Sequence, residues 1–201
     1  MKAKRVTESL YEFERGIDPK RALGISRRAK IEEWFENAGV DESNYEIRDD
    51  FTIEILERTI MKDMGIKKLF PNIKGNSTLS LQNNNISEIP DGINLAALDL
   101  SNNNVSKLLN NIKISRLLDL SNNELIHIED FFNINGSLDI SSNPIDYLPK
   151  QLYIGNNLYT THTNIKEIPA DTYIGGNLIT DIDVTIHPNA VIVGEIYKPK
   201  S

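Results

Sequence analysis

Leucine and other aliphatic residues recur along this chain with a period of about twenty residues. Five segments carry the pattern most clearly, and they read LSLQNNNI, LDLSNNNV, LDLSNNEL, LDISSNPI and LYTTHTNI. Their first residues lie 19, 20, 20 and 20 positions apart and are Leu79, Leu98, Leu118, Leu138 and Leu158. Such regular repetition predicts a solenoid, in which each turn buries its apolar edge against the neighbouring turns.

Within one repeat, counted from its first leucine as position zero, apolar residues recur at positions zero, two, seven, ten, fourteen and sixteen. The opening L-x-L has the period of two that is typical of a short strand, with both leucines pointing inward. The later spacings fit neither a helix nor a strand and predict a turning, mostly extended return segment. Position fourteen loses its apolar residue in the last copy, at Thr172.

Position five holds an asparagine in four successive copies and a threonine, Thr163, in the fifth. Just past the strand the backbone turns inward, and its amides lose their strand partners. An asparagine side chain both donates and accepts, so stacked asparagines can satisfy these buried groups from turn to turn. The predicted structural ladder consists of Asn84, Asn103, Asn123 and Asn143.

These repeats resemble the leucine-rich repeat family, in its short bacterial and phage type whose units read LxLxxNxLxxLPxxL. Prolines at position eleven, Pro90, Pro149 and Pro169, complete the match. The similarity covers residues 59–186, with a degenerate unit at each end, as terminal repeats often are. It implies an α+β repeat solenoid shaped as a right-handed arc, with parallel strands on its concave side and irregular convex loops.

Residues 26–58 are expected to cap the first repeat with a helix and a β-hairpin. Apolar residues spaced i, i+3, i+4 and i+7 from Ile31 predict the helix, with Ser26 as its N-cap and Gly39 as its stop. Trp34 is expected to anchor this helix against the hairpin. Alternation on both sides of Asp49-Asp50, in YEIRDDFTIEI, predicts the hairpin itself.

The two ends of the chain receive coarser predictions. The leader, residues 1–25, resembles a block at the start of various phage proteins, and Asp18-Pro19 is a good helix start. Two interpretations stay open, a flexible and partly helical tail or a docking or packaging tag. Residues 187–201 are expected to form a C-terminal cap of one or two closing strands, because an exposed sheet edge invites aggregation.

Side chains at positions minus one, one and three are expected to point outward on the predicted concave face, with Asn157 and Asn177 among those at minus one, and positions one and three are the candidate partner-binding site. Positions one and three contribute Asp99, Asp119, Asp139, Tyr159, Ser101, Ser121, Ser141 and Thr161. Aspartates on adjacent strands, ~4.8 Å apart, raise one another's pKa unless a cation intervenes. The stripe therefore fits a basic partner or a weakly held Ca²⁺, whereas the alternative is a merely solvated stripe. Tyr159 with Ile179 is the candidate hot spot, with core filler as its alternative.

Composition narrows the class of protein. The chain has no cysteine, and its three histidines lie in separate repeats, so we expect no catalytic residues, no cofactor and no metal site. A net charge of −7 and mildly acidic repeats argue against nucleic-acid binding by the solenoid. No signal peptide or membrane span is recognisable, which favours a cytoplasmic location in a bacterial or phage-infected cell, with virion association as the alternative.

The sequence thus predicts a non-enzymatic module for protein–protein interaction, monomeric, which binds an unknown protein through its concave face. Because a fold does not fix a function, this step depends on the family resemblance. The alternative is a phage virion or host-interaction protein that is targeted by its N-terminal block, with the solenoid as a passive scaffold.

Overall fold

A computed structural model describes residues 19–199, with side chains from Gly24 onward. These residues form a β-solenoid of about seven turns with parallel strands and one N-terminal helix. The predicted repeat solenoid is therefore confirmed at this level. Residues 1–18 and 200–201 lie outside the described part, and with them most of the predicted leader.

The N-terminal helix, α1 (Pro19–Asn37), is longer than predicted. Ser26 lies inside it, so the predicted N-cap is wrong, whereas the start suggested by Asp18-Pro19 agrees with the first helical residue. The proposed boundary between residues 25 and 26 consequently falls within one helix. Gly39 is confirmed as the stop: it adopts φ +67°, the left-handed conformation that ends many helices, and its N–H donates to the carbonyl of Glu36 at 3.0 Å.

The predicted hairpin is confirmed. A 3₁₀ turn (Glu42–Asn44) leads into β1 (Tyr45–Ile47), which pairs antiparallel with β2 (Ile53–Ile55). The turn is closed by the Phe51 N–H on the Arg48 carbonyl at 2.9 Å. Phe51 itself has φ +62°, the left-handed residue that follows a type I turn in a bulged hairpin.

Helix α1 packs over this hairpin and the first turn of the solenoid. Phe35 is fully buried and stacks on Tyr45 with ring centroids 3.8 Å apart. Trp34 is only partly buried and meets Phe70 edge to face at 5.6 Å, so it anchors the helix to the first turn of the solenoid. The N-terminal end of the apolar core is therefore covered by side chains.

The remaining strands are short, and most of them contain two or three residues. In chain order they are β3 (Thr59–Ile60), β4 (Ile73–Lys74), β5 (Thr78–Ser80), β6 (Ile93–Asp99), β7 (Lys107–Leu108), β8 (Ile112–Asp119), β9 (His127–Ile128), β10 (Asn133–Ile134), β11 (Ser137–Asp139), β12 (Tyr153–Ile154), β13 (Leu158–Tyr159), β14 (Glu167–Ile168), β15 (Tyr173–Ile174), β16 (Leu178–Ile179), β17 (Thr185–Ile186), β18 (Val191–Ile192) and β19 (Ile196–Tyr197).

Each turn of the solenoid carries strands along up to three lines. The first face contains the L-x-L strands β5, β6, β8, β11, β13, β16 and β19, which pair in parallel and in register. The second face contains β10, β12, β15 and β18, and the third contains β7 with β9 and β14 with β17. The return path is thus more regular than the irregular loops implied by the resemblance, because its extended segments also hydrogen-bond from turn to turn.

The predicted asparagine ladder is confirmed. Asn84, Asn103, Asn123 and Asn143 are all buried, at 3–8% exposure. Each Nδ2 donates to a carbonyl on its own turn and to one on the preceding turn, and each Oδ1 accepts a backbone N–H from the preceding turn. The aliphatic columns beside the ladder are buried as well. Thr172, which replaces an aliphatic residue at position fourteen, still points inward and is 2% exposed.

The C-terminal segment differs from the expected cap. Closing strands are present, but β17, β18 and β19 extend all three lines by one further parallel turn. The predicted boundary at residues 186 and 187 falls inside this turn. In the described part of the chain, no helix has the length and apolar character needed to cross a membrane.

Candidate functional site

Side chains at position one of the repeats form a continuous outward column on the first face. Strand register places each member beside the next, so that Asp99 pairs with Asp119, Asp139 with Tyr159, and Ile179 with Tyr197. The position-one column, from its N-terminal end, is Ser80, Asp99, Asp119, Asp139, Tyr159, Ile179 and Tyr197. Its middle is acidic and its C-terminal part is apolar and aromatic.

Tyr197 belongs to this column but was missed by sequence reasoning. Leu178 and Ile196 are register partners only 18 positions apart, so a search at a period of twenty does not reach the last turn. The Ile-Tyr pair that repeats the apolar-then-outward order of Leu158-Tyr159 was the signal available. With Tyr197, which is 46% exposed, the predicted hot spot gains a second aromatic residue.

The aspartates are engaged within the chain rather than free. The Asp119 Oδ1 atom accepts both the backbone N–H of Ser121, at 2.9 Å, and its Oγ–H, at 2.7 Å. Asp99 makes the same pair of contacts with Ser101, at 3.1 and 2.8 Å. A local side-chain acceptor satisfies the backbone where the strand ends. One oxygen of each carboxylate is therefore used internally, and Asp99 Oδ2 also lies 3.3 Å from Ser80 Oγ.

The position-three residues are less available to a partner than the sequence suggests. Ser101 is buried at 6% exposure, and Ser121 and Ser141 are half-buried. Ser141 donates its backbone N–H to Asp139 at 2.9 Å, and its Oγ accepts from the Thr161 hydroxyl at 3.2 Å. Ser101 is therefore removed from solvent, whereas Ser121, Ser141 and Thr161 are half-buried like the aspartates and use part of their hydrogen-bonding capacity within the chain.

Burial perturbs the central carboxylate of the stripe. The pKa of Asp119 is raised, mainly because its partial burial disfavours the charged form, while the hydrogen bonds from Ser121 lower it. Repulsion from Asp139 and Asp99 raises it further. The predicted effect of neighbouring like charges is present, but it is smaller than the effect of desolvation.

The apolar end of the column lies outside the core. Leu158 and Leu178 are fully buried, whereas their neighbours Tyr159 and Ile179 are partly exposed on the first face. The Tyr159 hydroxyl accepts a hydrogen bond from Asn157 Nδ2 at 3.2 Å, which orients the ring. The core-filler interpretation of these two residues is thus not supported.

A second ladder lies at the corner just before the first face, where the sequence places outward side chains. The Asn157 Oδ1 atom accepts the backbone N–H of Asn177 at 2.8 Å, and Asn177 Oδ1 accepts that of Glu195 at 2.8 Å. The Asn157 N–H donates to Ser137 Oγ at 3.2 Å. The side chains at position minus one therefore have a structural role in these turns. The surface that remains available to a partner is the position-one column with the half-buried residues beside it.

No cation site is assembled in residues 19–199, since no group of three or more His, Asp or Glu side chains is placed to share a metal ion. The three histidines stay apart, as their positions predict. His127 Nδ1 lies 3.0 Å from the Tyr147 hydroxyl on the third face. The backbone N–H of His162 donates to Asp181, and His187 Nδ1 accepts the backbone N–H of Asn189. The Ca²⁺ interpretation of the acidic stripe gains no support from this geometry.

Comparisons with protein-family models, curated proteins and solved structures give no match to this chain. Its function is therefore inferred from its own residues.

Proposed function

We propose that this chain is a non-enzymatic binding module of the leucine-rich-repeat type, which holds another protein against its first face. The twenty-residue period and the buried asparagine ladder support the repeat type. The observation that carries the binding function is the position-one column, in which three acidic residues are followed in register by Tyr159, Ile179 and Tyr197.

This column suits a protein surface with a basic part next to an apolar part. Aspartates that are only half-buried can meet Lys or Arg side chains, which would steer the encounter and set its register. Aromatic residues that become desolvated in an interface contribute most of the binding free energy. Because the two halves adjoin at Asp139 and Tyr159, one partner can contact both.

The test is capture of a partner from lysate of the native host, with the intact chain as bait. Replacing Asp99, Asp119 and Asp139 with asparagine removes three charges but keeps an oxygen that can accept from the serines. A matched variant, Glu88→Gln, Asp146→Asn and Glu167→Gln, removes three exposed charges elsewhere. If the first variant loses the captured protein and the matched variant keeps it, the proposal is supported. If both variants capture it equally, the proposed role of the aspartates in binding is refuted.

The apolar half requires its own variant, because a partner could depend on either half. Tyr159→Ser with Tyr197→Ser removes both rings, and Tyr147→Ser with Tyr153→Ser is the matched control on the other faces. Binding of the captured protein should fall at least tenfold in the first pair and change little in the control pair.

One observation favours the second candidate function, a passive scaffold that is targeted by its N-terminal block. Each stripe carboxylate already accepts hydrogen bonds from the serine two residues on, which gives the aspartates a structural reason to be present. Deleting residues 1–18 tests this candidate, because helix α1 begins at Pro19 and a longer deletion would remove part of the cap. The scaffold interpretation requires loss of localisation, whereas the binding module should keep its partner.

A further inference from the structure

The buried asparagine ladder ends with the turn that begins at Leu138. There Asn143 Oδ1 still accepts the backbone N–H of Leu125, on the preceding turn, at 2.8 Å. In the next turn the Thr163 hydroxyl instead donates to the Thr160 carbonyl of its own turn, at 2.8 Å. The N–H of Ile145, which an asparagine at position 163 would reach, consequently forms no hydrogen bond within residues 19–199, although Ile145 is fully buried.

The core of the turns that begin at Leu158 and Leu178 also contains hydroxyl groups without partners. Thr172 and Thr180 are 2% and 0% exposed, and among the described residues neither Oγ1 atom has a hydrogen-bond partner. One turn before Thr172, the same inward position is held by Leu152, which has no polar atom in its side chain. A buried hydroxyl that forms no hydrogen bond destabilises the folded state by its full desolvation.

Backbone pairing does not compensate for these losses. The Ile140 N–H donates to the Tyr159 carbonyl at 3.0 Å, much as the Leu120 N–H donates to Asp139 at 2.8 Å one turn earlier. The stability of a solenoid is approximately a sum over its turns and the interfaces between neighbouring turns. A weaker interface therefore allows the turns beyond it to open while the other turns stay folded.

We propose that residues 158–197 form a separate cooperative unit, which opens and closes while the asparagine-ladder turns remain folded. The three aspartates of the position-one column lie on the ladder turns, whereas Tyr159, Ile179 and Tyr197 lie on the opening unit. A partner can therefore meet the acidic half first, and its contact with the apolar half stabilises the closed unit. This consequence rests on the proposed function, whereas the unit itself does not.

Native-state hydrogen exchange of the full chain tests the proposal without a partner. The amides of Leu158 and Thr160, both hydrogen-bonded to the next turn, should exchange at least about tenfold faster than the amide of Leu120. Thr163→Asn supplies the missing acceptor and should slow these two amides at least about tenfold. Thr161→Asn makes the same change of residue type at a half-buried outward position of the same turn and should leave their exchange unaltered.

Thr172→Val keeps the test decisive if an asparagine does not fit at position 163. Valine has the shape of threonine without the unpartnered hydroxyl, so the amides of Leu158 and Thr160 should again exchange more slowly. Turns that open only because they lie at one end of the array would respond to neither variant, and that result would overturn the proposal. So would equal protection of Thr160 and Leu120 in the wild-type chain, and either outcome would leave the proposed function untouched.

Discussion

The side-chain oxygen of Asn123 lies 2.9 Å from the backbone nitrogen of Val105, which belongs to the preceding turn of the solenoid. The Asn123 Nδ2 atom donates to Leu100, also on the preceding turn, at 2.9 Å, and to Leu120 on its own turn at 3.1 Å. It also donates to the Ser121 carbonyl at 3.2 Å, so a single buried side chain satisfies one donor and three acceptors of the main chain. This is why the position tolerates so little variation among the central turns.

Replacing Asn123 with leucine should lower the free energy of unfolding by about 2–4 kcal/mol, because the Val105 N–H would lose its acceptor in a dry interior. Chemical denaturation followed by circular dichroism measures the effect. Asn122→Gly is the control: Asn122 is exposed and has φ +55°, a conformation that glycine adopts freely, so the change should stay within about 0.5 kcal/mol. Equal losses in the two variants would contradict the ladder.

The core could be predicted from the sequence because buried positions recur as aliphatic residues at a fixed spacing. Leu79, Leu98 and Leu118 are fully buried in one column, so this position must be aliphatic in every turn. The repetition of an aliphatic residue at a fixed spacing is visible in the sequence. The strands of the second and third faces have a weaker sequence pattern. Their outward residues, for example Lys107, His127 and Tyr153, face solvent and are free to differ, so the extra strand lines could not be read from side-chain type.

The candidate site was predicted only in part, for a different reason. The outward position of Asp119 follows from the strand period, but the direction of its hydrogen bonds does not. The same holds for Asn157, which the period places outward and whose amide oxygen instead serves the next turn. Polar side chains can satisfy either solvent or the backbone, and only the three-dimensional structure distinguishes the two outcomes.

The residue at position four adopts the left-handed conformation in successive turns. This conformation explains why the repeat often has a second asparagine, at position four. Asn102 and Asn122 have φ +56° and +55°, and Ser142 has φ +56°. Asparagine tolerates this conformation better than serine. Ser142→Asn should therefore raise the free energy of unfolding by about 0.5–1 kcal/mol. Ser141→Asn, one residue earlier and outside the left-handed region, should give no gain, and a gain there of equal size would refute the explanation.

Close approach between turns makes Gly155 irreplaceable. A Cβ atom at this position would lie 2.3 Å from the carbonyl oxygen of Asn135 on the preceding turn. Gly155→Ala must therefore separate the turns and weaken the Gly155 N–H bond to Ile134, which is 2.8 Å long. We expect a loss of about 2–3 kcal/mol in denaturation experiments. Gly39→Ala, which meets no neighbour and has only a left-handed φ to accommodate, should lose about 1 kcal/mol.

The raised pKa of Asp119 makes the stability of the fold depend on pH in a defined direction. The folded state holds the proton more tightly than the unfolded state, whose carboxyl titrates near 3.8. The free energy of unfolding contributed by this group is thus greatest below pH 3.8 and falls as pH rises through the folded-state pKa. Asp119→Asn removes the charge, while its Oδ1 can still accept from Ser121.

Thermal melts at pH 3 and pH 7 should therefore differ in a predictable way. Asp119→Asn should melt above the wild-type chain at pH 7, where the wild-type carboxylate is charged and desolvated, and close to it at pH 3. Asp146→Asn, at an exposed position, should change the melting temperature little at either pH. If the Asp119 variant shifted the melt by the same amount at both values, the gain would come from packing rather than from relief of a buried charge.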